Sequence, residues 1–327
     1  MNLDAKVAVV TGSGRGIGRA YARALAEAGC AVVVNDLDAD VAQQTVDEIS
    51  AAGGRAAAEV CAVGSSEAAE RLVARAVEAF GRLDIMCPNA GILRDRVLWN
   101  MSDEEFDAVI ETHLRGTFTC ARAAATRMRE QGDGGRIVVV SSIAGQRGNF
   151  GQTNYAAAKA GIAAFARTWA MELAKSNITV NAIVPNAITR MIATIPGMGP
   201  LVEAAERGEP IDDSIRKGMG MGRPEDVAPL IVFLGLPRLR RRQGCHRPVR
   251  RSRRRQAVAV VASAGDPRRL SRWGLVSRRH RRGLEHLGGT AAGDLRHPVP
   301  GRLAGGDPRR PATTLPARRS VSPGSRG

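Results

Sequence analysis

A glycine-rich turn between an apolar strand and a helix constrains the fold of this chain more than any other feature. The apolar run Val7–Val10 is followed by TGSGRGIG, residues 11–18, and then by an alanine-rich stretch typical of a helix, residues 19–28. The glycines permit a tight turn and a close approach of the backbone to a pyrophosphate, which free N–H groups at the helix N-terminus can bind. This placement predicts a dinucleotide-binding βα unit.

Strand and helix patterns then alternate, with short connections marked by glycine. Strands are predicted at 31–35, 56–61, 83–87 and 136–141, and helices at 39–52, 67–80 and 155–175. Such alternation is typical of a parallel sheet covered by helices on both faces. We therefore expect an α/β fold with a Rossmann-like, doubly wound parallel sheet. Small residues that follow the fourth strand, Asn89, Ala90 and Gly91, fall where such sheets bind ligands.

Asp36 follows the second strand and bears on the choice of cofactor. A carboxylate at this position can accept hydrogen bonds from both ribose hydroxyls of an adenosine and repels a 2′-phosphate, which favours NAD. Arg15, in the glycine-rich turn, weakly favours NADP, because a guanidinium can bind a 2′-phosphate. The alternative for Asp36 is a loop carboxylate that caps the helix at 39–52.

Three reactive side chains lie within residues 142–159. Tyr155 and Lys159 stand four apart in the run YAAAK, so a helix projects both from one face. Ser142 follows an apolar strand, and a glycine-rich loop lets it return to that face. An ammonium group beside the phenol is expected to lower the pKa of Tyr155, and a hydroxyl can hold the substrate oxygen. The pattern indicates an acid/base site, although a solvated pair has the same spacing.

Composition limits the remaining classes. The five cysteines lack the spacing of a zinc site or a disulfide framework, and no apolar run approaches the length that spans a membrane. The N-terminus runs directly into a strand without the hydrophobic region of a signal peptide. We therefore expect no metal, no membrane association and a cytoplasmic location.

The motifs together resemble the short-chain dehydrogenase/reductase family. TGSGRGIG (11–18), NAG (89–91), Ser142 and YAAAK (155–159) occur in the order and at the intervals of that family, over roughly residues 4–236. Finer matches, such as NAGILRDR (89–96) and HLRGTF (113–118), resemble the (3R)-hydroxyacyl-CoA dehydrogenase region of peroxisomal multifunctional enzymes and its bacterial relatives.

This resemblance implies roles for particular residues. Tyr155 is the general acid/base, Lys159 binds the nicotinamide ribose and lowers the pKa of the tyrosine, and Ser142 orients the substrate oxygen. His113 takes the place of the usual catalytic Asn, where a neutral imidazole could hold a water molecule or simply pack in the core. The residues expected to bind the cofactor are Gly12, Ser13, Arg15, Gly16, Ile17, Gly18, Asp36, Asn89, Ala90, Gly91, Tyr155, Lys159, Pro185, Ile188 and Thr189. Near Ile188 we expect backbone to meet the cofactor carboxamide, with Thr189 at the phosphates.

The charge and the composition of the chain change at about residue 237. The chain carries a formal net charge of +16, and residues 237–327 are rich in Arg, Pro and Gly without lysine or a periodic apolar face. Translation of a GC-rich gene out of frame gives this composition, and codons read one base later permit sequences resembling the end of related reductases. We therefore expect a dehydrogenase domain at 1–236 and a disordered, out-of-frame tail at 237–327, with the last strand of the sheet missing.

These observations predict an NAD-dependent oxidoreductase that interconverts a secondary alcohol and a ketone, with NADP as a possible cofactor. The expected substrate is a small molecule, a 3-hydroxyacyl thioester or a steroid-like alcohol, and a restored C-terminus would support a homodimer or homotetramer. An NADPH-dependent 3-oxoacyl carrier-protein reductase is the alternative within this class. The basic tail suggests a nucleic-acid-binding protein as an alternative of another class, but Trp273 is its single aromatic residue and gives it little stacking capacity.

Overall fold

The computed structural model describes residues 2–194, 197–236 and 259–263. All of them belong to one compact unit, Met1–Gly288. The expected disorder of the tail concerns residues that lie, apart from 259–263, outside the described part of the chain.

A parallel sheet forms the centre of this unit, as the alternating pattern predicts. Its strands in the described residues are β1 (Val7–Val10), β2 (Ala31–Asp36), β3 (Arg55–Val60), β4 (Ile85–Cys87), β5 (Gly135–Val140), β6 (Ile178–Asn186) and β7 (Ala259–Ser263). They pair in the order β3-β2-β1-β4-β5-β6-β7. The order reverses between β1 and β4, and such a switch point opens a crevice at the C-terminal ends of the strands.

Helices connect the strands on both faces. They are α1 (Gly16–Glu27), α2 (Ala39–Ala51), α3 (Ser66–Phe80), α4 (Asp103–Val109), α5 (Gly116–Gln131), α6 (Ala144–Arg147), α7 (Thr153–Glu172), α8 (Gly199–Glu206) and α9 (Pro224–Gly235). A π-helical segment, Ile110–Arg115, joins α4 to α5. Within the described ranges, we find no helix with the length and apolar character needed to cross a bilayer.

Alternating side chains of the strands divide the core into two layers. In β1, Ala8 and Val10 pack with residues of α1, α2 and α9, whereas Val7 and Val9 pack with residues of α3, α5 and α7. All four are buried. Burial on both faces explains why β1 is a continuous apolar run rather than an alternating one.

The seventh strand corrects one expectation. From the sequence we expect the last strand to be missing, yet Ala259–Ser263 pairs in parallel with β6, from Ala182↔Ala259 to Asn186↔Ser263. The run AVVAS is a short apolar segment with two β-branched residues, which suits a sheet strand but is too short to show a clear periodicity. A strand therefore lies beyond residue 236, where the dehydrogenase domain was expected to end.

Candidate active site

A cavity of about 1540 Å³ opens at the C-terminal ends of the central strands. Its walls come from the β1–α1 turn, the end of β2, the segments after β4, β5 and β6, and α7. All of the predicted site residues except Ser13 line it. The fold therefore brings together groups that lie up to 177 positions apart, between Gly12 and Thr189, in one site.

The β1–α1 turn presents backbone rather than side chains to the cavity. Gly12 has a φ of +59°, and a Cβ atom there would lie 2.7 Å from Cα of Ala90. The N-terminus of α1 has no side-chain cap and no acidic residue in its first turn. Its amide groups are therefore available to a phosphate, which is what the glycine pattern predicts.

Ser13 has a different role from the predicted one. Its side chain is buried, and its Oγ donates to the carbonyl oxygen of Val10 at 2.7 Å. Its backbone N–H donates to the carbonyl oxygen of Asn35 at 2.8 Å. Ser13 therefore joins the turn to β2, because its polar groups are already used beneath the cavity wall.

The loop after β4 is held to the turn by Thr11, a residue that the sequence analysis did not single out. Thr11 Oγ1 accepts hydrogen bonds from the backbone N–H groups of Asn89, at 2.9 Å, and Ala90, at 3.0 Å. The Asn89 side chain returns a bond to the carbonyl oxygen of Thr11 at 3.0 Å. The signal that could have indicated this role is the position of Thr11 between the apolar strand and the first glycine of the turn.

Asp36 lies at the cavity, and the neighbouring Asp38, rather than Asp36, caps α2. Its Oδ2 accepts from the N–H of Gly14 at 3.1 Å. The cap of α2 is Asp38, whose side chain accepts from the N–H of Val41. Asp38 also pairs with Arg15 at 3.0 Å, which occupies the guanidinium that could otherwise accept a 2′-phosphate.

Tyr155 and Lys159 project from α7 into the same cavity. Both are almost fully enclosed, with 9% and 4% of their surface exposed. The Nζ atom of Lys159 donates to the carbonyl oxygen of Val140, the last residue of β5, at 2.8 Å. Ser142 lies two residues beyond that strand and also lines the cavity. The helix and the strand end therefore position the three groups as the spacing predicts.

The pKa of Tyr155 corrects a further expectation. Burial raises it above the ordinary value, and a hydrogen bond from Ser142 opposes that shift. Lys159 does not carry the full positive charge that the sequence predicts, because burial lowers the pKa of its ammonium group to about 7. Desolvation is therefore the dominant influence on the pKa of Tyr155, and Ser142 is the group that opposes it.

His113 is buried beside the phenol, on the π-helical segment. Its ring meets the Tyr155 ring edge-on, with centroids 5.2 Å apart. Nε2 lies 2.8 Å from the carbonyl oxygen of Ile92, and Nδ1 has no partner in the described part of the chain. Burial lowers the pKa of His113 to about 3, so the imidazole is neutral. Gly91 has to be glycine because a Cβ atom there would overlap the imidazole.

The segment after β6 closes the cavity. Pro185, Ile188 and Thr189 line it as predicted. The N–H of Ile188, however, donates to the carbonyl oxygen of Gly222 at 2.7 Å, so it is unavailable to a cofactor carboxamide. Met191 places its sulfur 3.9 Å from Oη of Tyr155, which makes it a wall of the substrate region.

The family model described as short chain dehydrogenase matches residues 6–195. Among curated proteins, the short-chain reductase protein NovJ of Streptomyces niveus is 46% identical over 239 residues, which is 71% of this chain and 87% of that protein. The hydroxyacyl-CoA dehydrogenase ChsB1 of Mycobacterium tuberculosis is 44% identical over 248 residues, with 72% and 74% covered.

Two further proteins match the same share of this chain, but the match covers different shares of their own lengths. The peroxisomal multifunctional enzyme type 2 of Mus musculus is 44% identical over 72% of this chain, but the chain spans only 30% of that protein. A crystal structure of a short chain dehydrogenase from Mycobacterium avium superposes with a TM-score of 0.60 at 42% identity, with 72% of this chain and 78% of that one covered.

The site's composition fits a nicotinamide dinucleotide, since it combines uncapped amides at a helix N-terminus, a carboxylate beyond β2 and a buried lysine beside a tyrosine. This chain belongs to the short-chain dehydrogenase family and is an oxidoreductase that acts on CH–OH groups with NAD or NADP.

Proposed function

We propose that this protein uses NAD to interconvert a 3-hydroxyacyl thioester and its 3-oxo form, with Tyr155 as the general acid/base. The observation that carries the proposal is the enclosure of the Tyr155 phenol among Ser142, Lys159 and His113, in the cavity that Asp36 also lines. A phenol shielded from bulk water can exchange a proton with the substrate oxygen without competition from solvent.

Each residue around the phenol then has a separate task. Tyr155 takes the hydroxyl proton during oxidation and returns it during reduction. Ser142 donates a hydrogen bond that holds the substrate oxygen. Lys159, with a pKa of about 7, is partly protonated at neutral pH and can replenish the proton on the phenol. His113 stays neutral and fixes the backbone at Ile92, while its free Nδ1 can hold a water molecule.

The cofactor has a place in the same cavity. When bound, it supplies the acceptor or donor of the hydride that balances the proton on Tyr155. The amides at the N-terminus of α1, at Gly16, Ile17 and Gly18, would hold its pyrophosphate. Gly12, whose N–H donates to the Asn35 side chain, would let the backbone approach it closely.

Other residues would hold the two ends of the cofactor. Asp36 would bind the adenosine ribose, Asn89, Ala90 and Gly91 would line the adenosine side, and Lys159 with Tyr155 would bind the nicotinamide ribose. Pro185 and Ile188 would enclose the nicotinamide side, and Thr189 would lie at the phosphates.

NAD is favoured over NADP by two observations. Asp36 points its carboxylate into the Gly14 region of the cavity, where a 2′-phosphate would be repelled. Arg15 is paired with Asp38 rather than free to bind that phosphate. The charge next to the ribose is therefore negative.

The substrate class is supported by relatives and by the cavity wall. One relative is named a hydroxyacyl-CoA dehydrogenase and another a 3-oxoacyl-[acyl-carrier-protein] reductase. Ile92, Met191 and Ile192 give the region near Tyr155 an apolar wall that suits an acyl chain or a steroid-like alcohol. The carrier-protein reductase remains the second candidate, because the relative from Synechocystis is 42% identical over 90% of its length.

Two further proposals concern the setting of the enzyme. We propose a homo-oligomer, either a dimer or a tetramer, because short-chain dehydrogenases are commonly oligomeric. We also propose a cytoplasmic location, which the peroxisomal relatives make worth testing by fractionation. The nucleic-acid-binding alternative rests on the basic tail, which lies outside the described residues except for 259–263.

The decisive experiment compares cofactors on one substrate. Purified protein is assayed with a 3-oxoacyl-CoA and either NADH or NADPH, and the kcat/KM values are compared. We expect NADH to be preferred by at least about tenfold, since one close charge repulsion is worth more than about 1.4 kcal/mol in a partly enclosed site. An Asp36→Ala variant should lose this preference, whereas a preference of the natural chain for NADPH would favour the carrier-protein reductase.

A further inference from the structure

The cavity wall has an excess of positive charge. Seven arginines line it, against two carboxylates, those of Asp36 and Glu225. A wall of this composition favours an anionic ligand. The question is which arginines are available to it.

Several of these seven arginines already have partners among the described residues. Arg15 pairs with Asp38 at 3.0 Å, and Arg19 pairs with Glu48. Arg223 donates to the backbone carbonyl oxygen of Gly208 at 2.6 Å. These three guanidinium groups are therefore partly neutralised or tied to the backbone.

Arg94 and Arg147 differ from this group. Both are exposed and both line the cavity. The side chain of Arg94 donates to the carbonyl oxygen of the neighbouring Leu93 at 2.8 Å. The side chain of Arg147 has no hydrogen bond or ion pair with residues that the structure describes, and Arg94 has no ion pair among them. Their charges are thus free to meet a ligand.

The two arginines stand on adjoining segments beside the reacting groups. Arg147 ends α6, five residues after Ser142, and Arg94 lies three residues after Gly91. The N–H of Arg96 donates to the carbonyl oxygen of Gly151 at 2.8 Å, which joins the two segments. Both arginines therefore belong to joined segments that line the cavity together with Ser142 and Ile92.

An apolar wall in the same cavity as these charges indicates a substrate with one apolar end and one anionic end. Ile92, Met191 and Ile192 suit an acyl chain near the phenol. A guanidinium binds phosphate through paired charge-assisted hydrogen bonds, and two of them on adjoining segments suit a phosphorylated group.

We propose that Arg94 and Arg147 bind the phosphate groups of the arm that carries the acyl chain, so that the enzyme selects phosphopantetheine thioesters over unphosphorylated ones. This inference rests on the proposed thioester substrate. Coenzyme A and the phosphopantetheine of a carrier protein both carry such a phosphate, so the chemistry recognised is the same.

Matched thioesters test this proposal. One 3-oxoacyl group is presented on coenzyme A, on 4′-phosphopantetheine and on N-acetylcysteamine, which has no phosphate. Steady-state kinetics are measured for the natural chain and for Arg94→Gln, Arg147→Gln and the double variant. Arg147→Lys keeps the charge, and Arg129→Gln changes an exposed arginine that does not line the cavity.

We expect each glutamine variant to raise KM for the phosphorylated thioesters by roughly three- to tenfold, since the contacts are charge-assisted but solvent-exposed. KM for the N-acetylcysteamine thioester and kcat for all three substrates should stay unchanged. Arg147→Lys keeps the charge but not the paired hydrogen bonds and should recover part of the affinity, whereas Arg129→Gln should behave as the natural chain. An effect confined to the coenzyme A thioester would assign the contact to its nucleotide phosphates, whereas an effect on both would assign it to the phosphate that they share.

Two results would overturn the proposal: equal changes for phosphorylated and unphosphorylated thioesters, or no change for any of them. If the natural chain turns over none of the thioesters, the proposed function fails, and the subsite is tested by the binding of free coenzyme A in calorimetry. There, a three- to tenfold weaker Kd in the double variant supports the subsite, and an unchanged Kd removes it.

Discussion

The Nζ atom of Lys159 lies 5.5 Å from the centre of the Tyr155 ring, one helical turn further along α7. The lysine therefore faces the ring of the phenol, and its hydrogen bond goes to the backbone of Val140. Burial has made the lysine a weaker base and the tyrosine a weaker acid than they are in water. Burial therefore separates the two pKa values, with that of Lys159 near 7 and that of Tyr155 above its ordinary value.

Replacement of Tyr155 by Phe should abolish turnover while leaving the cofactor affinity nearly unchanged. The substitution removes the proton donor but little volume, and the loss of a positioned general acid/base lowers kcat by about 10²–10⁴-fold. Stopped-flow or steady-state rates give kcat, and a fluorescence titration with NADH gives Kd. Turnover within tenfold of the natural chain would remove Tyr155 from the proposed role.

Replacement of Lys159 by Met should change how stability depends on pH. The folded-state pKa is about 7 and the ordinary value is 10.5, so the unfolded chain binds the extra proton between these pH values. The natural chain therefore gains stability as the pH rises from 7 to 10.5, and the K159M variant lacks this gain. The difference is on the order of 4 kcal/mol.

Urea unfolding of both chains at pH 7 and pH 10 measures the effect. Subtracting one chain from the other cancels the titration of all other groups. A difference in unfolding free energy that stays constant with pH would show that Lys159 is not desolvated to this extent.

Replacement of Thr11 by Val should weaken the attachment of the β1–α1 turn to the loop after β4. Two backbone N–H groups, those of Asn89 and Ala90, would lose their acceptor. Each unsatisfied buried donor costs about 1–3 kcal/mol. We expect a loss of roughly 2–4 kcal/mol in unfolding free energy and a weaker Kd for NADH. Thr11→Ser keeps the hydroxyl and is the matched control, so an equal loss in both variants would contradict the role of the hydrogen bonds.

Two glycines of the same turn allow a paired comparison. Gly12 and Gly16 have φ values of +59° and +58°, so alanine is strained at both. A Cβ atom at Gly12 would also lie 2.7 Å from Cα of Ala90, whereas at Gly16 it meets nothing within 4 Å. We expect Gly16→Ala to cost about 1 kcal/mol and Gly12→Ala at least about 2–3 kcal/mol more. Urea unfolding without cofactor measures both, and equal costs would mean that the contact with Ala90 relaxes freely.

Local patterns predict most of the fold and the positions of the reacting groups. The glycine turn, the alternation of strands and helices, and the spacing of Tyr155 and Lys159 depend on neighbours in sequence, and the structure agrees with them. Asp36 also lies at the cavity. These features follow from periodicity and turn chemistry alone.

Other features depend on contacts between distant residues. The buried role of Ser13, the hydrogen bonds of Thr11 and the partner of Ile188 are set by backbone groups that no local pattern reveals. The direction of the Tyr155 pKa depends on how completely the cavity wall excludes water. The strand at Ala259–Ser263 was missed because the surrounding composition masked a short apolar run.

The pairing of β7 with β6 places residues 259–263 next to the active site. Asn186 pairs with Ser263, lines the cavity and donates from its side chain to the carbonyl oxygen of Gly220 at 3.1 Å. A chain cut at residue 236 would leave this edge of β6 exposed, with unpaired amides next to the wall that covers the substrate. Any correction of the reading frame beyond that point would thus change the residues that pair with this edge, next to the wall of the cavity.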